Sequence, residues 1–153
     1  MSNDLLINEM TAEDLDEVLE IENRSFPLPW SRALFEKELE NGHAFNLVAR
    51  DPKRGGTGVV GYVVFWHVAD EMHILQLAVH EEARRQGLGR HLLEEAIRLA
   101  CSKGCRHAFL EVRTDNEAGK ELYRSFGFRE IGTRKNYYSD GEDACVMGRP
   151  LPI

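Results

Sequence analysis

The sequence contains few cysteines, no long apolar run and no basic leader. Its three cysteines, Cys101, Cys105 and Cys145, form no Cys-x-x-Cys pair, so we expect neither a zinc nor a redox centre and no metal. The longest uncharged apolar run, residues 58–69, is too short to span a bilayer. No basic segment precedes an apolar one near the start of the chain. We therefore expect a cytoplasmic protein that does not act on membranes.

Basic side chains are outnumbered by acidic ones. The 153 residues include 26 acidic and 19 basic side chains, which gives a formal net charge of −7. Because no segment is strongly basic, the composition argues against nucleic acid as a partner. It favours a basic partner, although acidic charge also serves simply to keep proteins soluble. The length and the lack of repeats predict a single domain over residues 1–153.

The hydrophobic pattern predicts alternating strands and helices. Thr11-x-x-Asp14 has the form of a capping box that starts the first helix, and Pro27 and Pro29 end it. Together the elements predict an α/β fold with a central mixed sheet flanked by about four helices. The expected strands are 5–9, 45–49, 59–68, 72–79 and 107–112, with two more near 129–138 and 143–149; the later helices are 31–39, 87–103 and 116–126.

A glycine-bearing turn follows strand 72–79 and opens the helix at residue 87. Glycine lets a backbone approach a ligand closely, and the first amides of a helix have no intrahelical acceptor. Unpaired amides and the helix dipole attract phosphate, so the turn predicts a pyrophosphate site. A basic loop before an ordinary helix explains the turn alone equally well. The turn reads Arg84-Arg85-Gln86-Gly87-Leu88-Gly89.

Two familiar phosphate-binding loops do not match this turn. A dinucleotide-binding turn needs its first glycine directly after the strand and a third glycine where this chain has Leu92. A nucleoside triphosphatase loop needs Gly-Lys followed by Ser or Thr, whereas Gly89 is followed by Arg90 and His91. Both classes of phosphate-binding loop are excluded because this chain lacks the residues that each requires.

The pattern Arg84-x-x-Gly87-x-Gly89 after a strand resembles the signature of the GNAT superfamily of acyl-CoA-dependent N-acetyltransferases. Other segments resemble its RimI-type branch, which acetylates protein N-termini. The resemblance covers the chain almost from end to end and implies the GNAT fold. The segments are Ser25-Phe26-Pro27-Leu28-Pro29-Trp30-Ser31, Leu110-Glu111-Val112-Arg113, Asn116-x-x-Gly119, Leu122-Tyr123, Gly127-Phe128 and residues 136–144.

The resemblance implies transfer of acetyl from acetyl-CoA to the N-terminal α-amine of a protein, by direct attack in a ternary complex. The implied substrate is the N-terminal alanine of the eighteenth small-subunit ribosomal protein, a basic partner. A broader N-terminal acetyltransferase of the archaeal type is the alternative within this class. A non-catalytic acyl-CoA-binding module is the alternative outside it.

The same resemblance assigns cofactor contacts. It implies that the main chain of the strand before the turn binds the pantetheine arm, while the side chains serve the core. Asn116 is implied as a further contact, but it can equally be only a helix cap, with Thr114 and Glu117 as a competing capping box. The implied cofactor residues are Leu77, Ala78 and Val79 for pantetheine, and Arg85, Gln86, Gly87, Leu88, Gly89 and Arg90 for the pyrophosphate.

Two residues are expected to carry the chemistry. Glu111 lies in an otherwise apolar strand, where a carboxylate is costly unless it has partners. The resemblance implies a general base for the incoming amine, acting directly or through water; pairing with Arg113 or exposure at the strand end is the other explanation. Tyr123 lies seven residues after Asn116, on the same helix face. The resemblance implies that it donates to the departing sulfur, whereas a core aromatic is the ordinary explanation.

Aromatic residues are the candidates for peptide binding. Phe26, Pro29 and Trp30 could form one wall of a groove, and Tyr137 and Tyr138 the other. A proline-stiffened connector and two strand tyrosines explain the same residues. In addition, Glu142 and Asp143 are either partners for a basic peptide or solvated turn residues.

Overall fold

A computed structural model provides the structure of residues 5–152. The predicted domain, 1–153, includes residues 1–4 and 153, which lie outside the described part. The chain alternates strands and helices as predicted, and most boundaries agree within one or two residues. The strands are β1 (Leu6–Glu9), β2 (Ala44–Arg50), β3 (Val59–Val68), β4 (Glu71–Val79), β5 (His107–Arg113), β6 (Arg129–Arg134) and β7 (Ala144–Pro150); the helices are α1 (Leu15–Ser25), α2 (Arg32–Glu40), α3 (Leu88–Ser102) and α4 (Glu117–Ser125).

The seven strands form one mixed sheet in the order β1-β2-β3-β4-β5-β7-β6. Every neighbouring pair is antiparallel except β4 and β5, which are parallel because α3 carries the chain back between them. This arrangement confirms the predicted mixed sheet. β7 inserts between β5 and β6, so the chain's last strand lies inside the sheet.

The parallel pair separates partway along its length. β4 and β5 are paired only from Glu71–His107 to Ile74–Leu110. In the ladder with β3, Ile74 faces Phe65 and Gln76 faces Val64, so Leu75 is an extra residue in a β-bulge. A bulge bends its strand, and here it coincides with the end of the pairing to β5. The two strand ends beyond it border an opening in the sheet.

Helices cover both faces of the sheet. α3 buries Leu92, Ala96 and Ile97 in one hydrophobic cluster with the sheet, as its predicted apolar stripe requires. α1 and α2 contribute Val18 and Phe35 to a second cluster. The opening between β4 and β5 therefore lies in a sheet that is supported from both sides.

The predicted start of the first helix is confirmed, whereas the predicted end of strand 129–138 was wrong. The capping box forms, with the Thr11 amide donating to the Asp14 carboxylate at 2.7 Å, and it begins a 3₁₀ turn at Ala12–Asp14 that leads into α1. The predicted strand 129–138 ends at Arg134, since the chain turns at Asn136, whose φ is 51°. The Asn136 amide donates to Asp143 at 2.9 Å and fixes that turn. Tyr137 and Tyr138 thus lie in a loop, not a strand.

A buried ion pair joins α1 to the sheet. Asp14 has no exposed surface, and both of its carboxylate oxygens accept from Arg50, at 2.5 and 2.8 Å. Burial opposes ionisation of Asp14, but the hydrogen bonds from Arg50 and Thr11 outweigh it and lower the pKa. The ionised carboxylate therefore stabilises the fold.

Replacing Asp14 with Asn should lower the free energy of unfolding by about 3 kcal/mol at pH 7, because Arg50 keeps a partly buried, unpaired charge. The folded-state pKa lies below the unfolded value, so this stabilisation is complete above about pH 4 and is lost as the pH falls further. Urea unfolding of both proteins at pH 7 and pH 3 measures it. Asp16→Asn, which removes an exposed pair with Arg32, is the control and should cost less than about 1 kcal/mol. A wild-type advantage that is equally large at pH 3 would contradict this assignment.

Candidate active site

The opening between β4 and β5 leads into a cavity of about 730 Å³. That volume is in the range of small-molecule and cofactor sites. Its wall is built from the ends of β4 and β5, the turn before α3, one side of α4, the segment after α1 and the loop after β6. Most predicted site residues line it: Phe26, Trp30, Leu77, Ala78, Val79, Arg85, Gly87, Leu88, Gly89, Arg90, Glu111, Asn116, Tyr123, Tyr137 and Tyr138.

The turn before α3 presents free backbone donors to this cavity. The first bond within α3 runs from the His91 amide to the Gly87 carbonyl, at 3.0 Å. The amides of Leu88, Gly89 and Arg90 precede it and have no acceptor within the helix. Gly87 is left-handed, with φ 77°, and a Cβ there would meet no atom within 4 Å. The helix start is therefore open, positive and suited to an anion.

The β4 edge supplies a second set of backbone groups. The His80 amide donates to the Val60 carbonyl at 2.8 Å, so His80 and Val60 form a hydrogen-bonded antiparallel pair. By the two-residue alternation of the ladder, Ala78 also bonds to β3, whereas Leu77 and Val79 turn their backbone groups toward the opening. The Arg84 guanidinium donates a hydrogen bond to the Val79 carbonyl at 3.0 Å. Ala78 therefore lines the cavity, but its backbone is engaged with β3.

Asn116 is both a helix cap and a cavity residue. Its side chain accepts from the Gly119 amide at 2.9 Å and caps α4. The competing capping box does not form, because the Thr114 hydroxyl bonds to Glu142 instead of Glu117. A Cβ at residue 119 would lie 2.7 Å from the Asn116 side chain, so glycine permits the close cap.

Glu111 reaches the cavity from the β5 end that β4 has left. Its side chain is 29% exposed, and its Oε1 lies 3.2 Å from Nε of Arg134 on β6. Arg113, the partner considered from sequence, instead forms ion pairs with Asp115 and Asp140. Glu111 is thus an accessible carboxylate held at the cavity wall by a cation from a strand two positions away in the sheet.

Tyr123 enters the same cavity from α4. It is 8% exposed, and its ring packs edge-on against Phe128 at 5.8 Å, so it is also a core residue. Burial, and secondarily Tyr138, raise its pKa above the ordinary value. Tyr123 is therefore a neutral phenol at physiological pH and can donate a hydrogen bond.

Two arginines hold the aromatic loop after β6. The Arg134 guanidinium lies 5.9 Å from the ring centre of Tyr137, and that of Arg113 lies 5.0 Å from Tyr138. Burial raises the pKa of Tyr138 to about 12, with smaller effects from neighbouring groups. Tyr138 consequently presents a neutral hydroxyl, and Glu111 is among the groups that act on its pKa.

The segment after α1 forms the facing wall and is connected to the turn. The Arg84 guanidinium that binds the Val79 carbonyl also donates to the Ser25 hydroxyl at 3.2 Å. Arg24 pairs with Glu81 at 2.7 Å. These contacts tie the end of α1 to the start of the glycine turn.

Two predicted contacts lie outside the cavity wall. Gln86 donates weakly to the Glu82 carbonyl at 3.5 Å, and Pro29 does not line the cavity. The sequence prediction also missed two residues. Gln76 lines the cavity, and the Glu22 carboxylate accepts a hydrogen bond from the Gln76 side-chain amide. Glu22 continues the buried face of α1 after Leu15 and Val18 at helical spacing. A carboxylate on that apolar face was the available signal.

The remaining sequence expectations concern metals, thiols and membranes. Within residues 5–152 no three potential metal ligands cluster, and no helix there is long and apolar enough to cross a membrane. The described cysteines are free. Burial raises the pKa of Cys105 and Cys145, which keeps both thiols protonated at neutral pH.

The fold and this site define an acyl-group transferase, and comparison with known proteins agrees. Residues 15–128 match the model of the Acetyltransferase (GNAT) family, and the chain belongs to that family. The [ribosomal protein bS18]-alanine N-acetyltransferase of Escherichia coli strain K12 is 34% identical over 96% of this chain and 98% of its own. An N-alpha-acetyltransferase of Sulfolobus acidocaldarius is 32% identical over 92% of this chain and 89% of its own length.

A solved structure is similar throughout. The crystal structure of the ribosomal-protein-S18-alanine N-acetyltransferase from Escherichia coli superposes with a TM-score of 0.86 at 33% identity, covering 97% of this chain and 95% of that one. The GNAT fold predicted from the sequence is thereby confirmed.

Gly87→Ala should destabilise the protein by about 1 kcal/mol, because the left-handed backbone disfavours any Cβ. Gly42→Ala is the matched control: its Cβ also meets no atom within 4 Å, but its φ is not left-handed. We expect the control to remain within about 0.5 kcal/mol of wild type in urea unfolding. Equal stability of the two variants would show that the turn relaxes without Gly87.

Proposed function

We propose that this protein transfers the acetyl group of acetyl-CoA to the N-terminal alanine of ribosomal protein bS18. The observation that carries the proposal is the convergence of four features on one cavity: a helix start with free amides, an open strand edge, a carboxylate and a neutral phenol. The bS18-alanine acetyltransferase of Escherichia coli, similar over nearly the full chain, supports it. Ribosomal proteins are made in the cytoplasm, so we place the reaction there.

The residues around the turn suit acetyl-CoA. The amides of residues 88–90 can bind pyrophosphate oxygens, and Arg85 and Arg90 add positive charge. The backbone groups of Leu77 and the amide of Val79 can pair with the pantetheine amides as a neighbouring strand would, since Arg84 already donates to the Val79 carbonyl. Asn116 caps α4 at the same wall. The cofactor is therefore held mainly by backbone, which explains why glycines and strand ends dominate the site.

Glu111 is proposed as the general base. An N-terminal amine has a pKa of ~8, so a modest fraction is neutral at pH 7. When the neutral amine attacks, its nitrogen becomes positively charged as the C–N bond forms, and the base has to remove only one proton from it. Glu111 accepts that proton directly or through one water. Arg134 holds the carboxylate at the wall and keeps it from turning away.

Tyr123 is proposed to assist the departing thiol. The amine attacks the thioester carbonyl, the C–S bond breaks, and the sulfur leaves with the electron pair. The neutral Tyr123 hydroxyl donates to that sulfur, and the low basicity of a thiolate makes a hydrogen bond sufficient. No acetyl-enzyme is required, so none of the three cysteines takes part.

The peptide is proposed to lie between the two aromatic walls. Phe26 and Trp30 lie on one side, and Tyr137 and Tyr138 on the other. Glu142 and Asp143 do not line the cavity. Asp143 is bound by Lys135 and the Asn136 amide, which favours a turn role. Attraction of a basic protein therefore comes from the overall negative charge, not from these two carboxylates.

A broader N-terminal specificity is the second candidate. The Sulfolobus relative, named for N-alpha-acetylation without a stated target, favours it at 32% identity. A non-catalytic acyl-CoA-binding module is disfavoured because Glu111 and Tyr123 both line the cavity.

Incubation with acetyl-CoA and a basic peptide that starts with alanine tests the proposal. We expect acetyl on the α-amine by mass spectrometry, stoichiometric free thiol, and little acetyl on lysine. Matched peptides that start with serine or methionine are the controls. Equal rates on all three would favour the broad enzyme, and cofactor binding without transfer would contradict the proposal.

Glu111→Gln should lower kcat roughly 10²–10⁴-fold while leaving the acetyl-CoA Kd unchanged, because the amide keeps the side-chain volume but cannot accept the proton. Steady-state kinetics and calorimetric titration measure the two quantities. Glu130→Gln is the control, since Glu130 forms a comparable exposed pair with Arg124 and lies outside the cavity wall. Unchanged kcat in Glu111→Gln would remove Glu111 from the mechanism.

A further inference from the structure

Glu22 is a fully buried carboxylate to which the proposed mechanism assigns no role. It lies on α1, has no exposed surface, and belongs to neither an ion pair nor the cavity lining among the described residues. Burial raises its pKa, while three hydrogen-bond donors act in the opposite direction. A carboxylate in such a place costs free energy unless its oxygens are satisfied, so the identity of its partners matters.

The two oxygens of Glu22 serve different parts of the molecule. Oε1 accepts from the hydroxyl of Tyr62, a fully buried core residue, at 2.5 Å. Oε2 accepts from the backbone amide of Trp30 at 2.9 Å and from the side-chain amide of Gln76 at 2.5 Å. Trp30 and Gln76 both line the cavity. One oxygen therefore binds the core and the other binds the active-site wall.

The Oε2 contacts join two segments that are distant in the sequence, and they act on top of the packing of Trp30 against Phe35 and the pairing of Gln76 with Val64. Trp30 lies in the connection between α1 and α2, outside regular structure. Gln76 directly follows the bulge residue Leu75, where β4 has already left β5. Because the Gln76 nitrogen donates to Glu22, the carbonyl oxygen on the other branch of the same amide remains as an acceptor.

We infer that Glu22 is a positioning residue for the peptide substrate, because its buried carboxylate holds the Trp30 segment and the Gln76 amide as one wall of the groove. The inference rests on the proposed function. An extended peptide carries N–H donors that the Gln76 carbonyl can accept. Glu22 touches no reacting atom, so it controls peptide affinity and leaves acetyl-CoA binding unchanged.

Glu22→Met tests the inference, since methionine keeps the length of the side chain and removes both acceptors. We expect the peptide KM to rise about tenfold or more, which is the effect of losing one hydrogen bond to a charged group. The acetyl-CoA KM should stay within about twofold and kcat at saturating peptide within about threefold, because no reacting group moves. An unchanged peptide KM would overturn the inference.

Two further variants separate positioning from general loosening. Tyr62→Phe removes the core contact alone, and should lower the melting temperature while leaving the peptide KM unchanged. Glu22→Gln should restore most of the affinity, since the Tyr62 oxygen can accept from the new amide while Gln Oε1 keeps Trp30 and Gln76. If Tyr62→Phe raises the peptide KM as much as Glu22→Met, Glu22 has only a structural role.

Hydrogen exchange at the backbone amides of Phe26, Leu28 and Trp30 provides a readout that does not depend on catalysis, since Pro27 and Pro29 carry no amide hydrogen. Without peptide, exchange there should accelerate about tenfold or more in Glu22→Met and remain unchanged in Tyr62→Phe. Wild-type protein that transfers no acetyl would contradict the proposed function, whereas unchanged exchange in Glu22→Met would contradict this inference alone. If Glu22→Met does not fold, Glu22→Asp replaces it, because the shorter side chain cannot reach both its core and its wall partners.

Discussion

The separation of two parallel strands is the constraint on which the rest of this structure depends. β4 and β5 pair through Ile74 and Leu110 and then part, after a bulge at Leu75 bends β4. Backbone groups in the middle of a sheet cannot remain unpaired without cost. One of these backbone groups is paired within the protein, because the Arg84 guanidinium donates a hydrogen bond to the Val79 carbonyl. The remaining free backbone groups are those that we propose pair with the cofactor.

The other elements complete the proposed active site around that opening. α3 begins beside the end of β4 and directs its free amides at the cavity, and the end of β5 presents Glu111. α4 brings Tyr123 from the opposite side. Arg84 connects the glycine turn to Ser25, and Glu22 connects the wall beyond Ser25 to β4. The proposed cofactor and peptide sides are thus linked through α1, although different residues are proposed to act on each.

Most secondary structure could be predicted from the sequence because its signals are local, whereas the site residues that line the cavity were predicted mainly from the family resemblance. Helical spacing marked α3, and glycines with left-handed φ followed α3 and α4 at Gly104 and Gly127. The strand predicted near 129–138 ends at Arg134, because the turn at Asn136 depends on Asp143 from beyond the loop. The bulge at Leu75 and the Glu111–Arg134 pair likewise depend on contacts between distant segments. Such features have no local signal.

Amide hydrogen exchange, followed with and without acetyl-CoA, tests the central claim most directly. If the strand separation is the cofactor site, acetyl-CoA should protect the amides of Leu77 and Val79 at the open end of β4, together with those of residues 88–90 at the start of α3. The paired segment of β4, Glu71–Ile74, should not change, since β5 already occupies that edge. Protection elsewhere, with these two segments unaffected, would contradict the account.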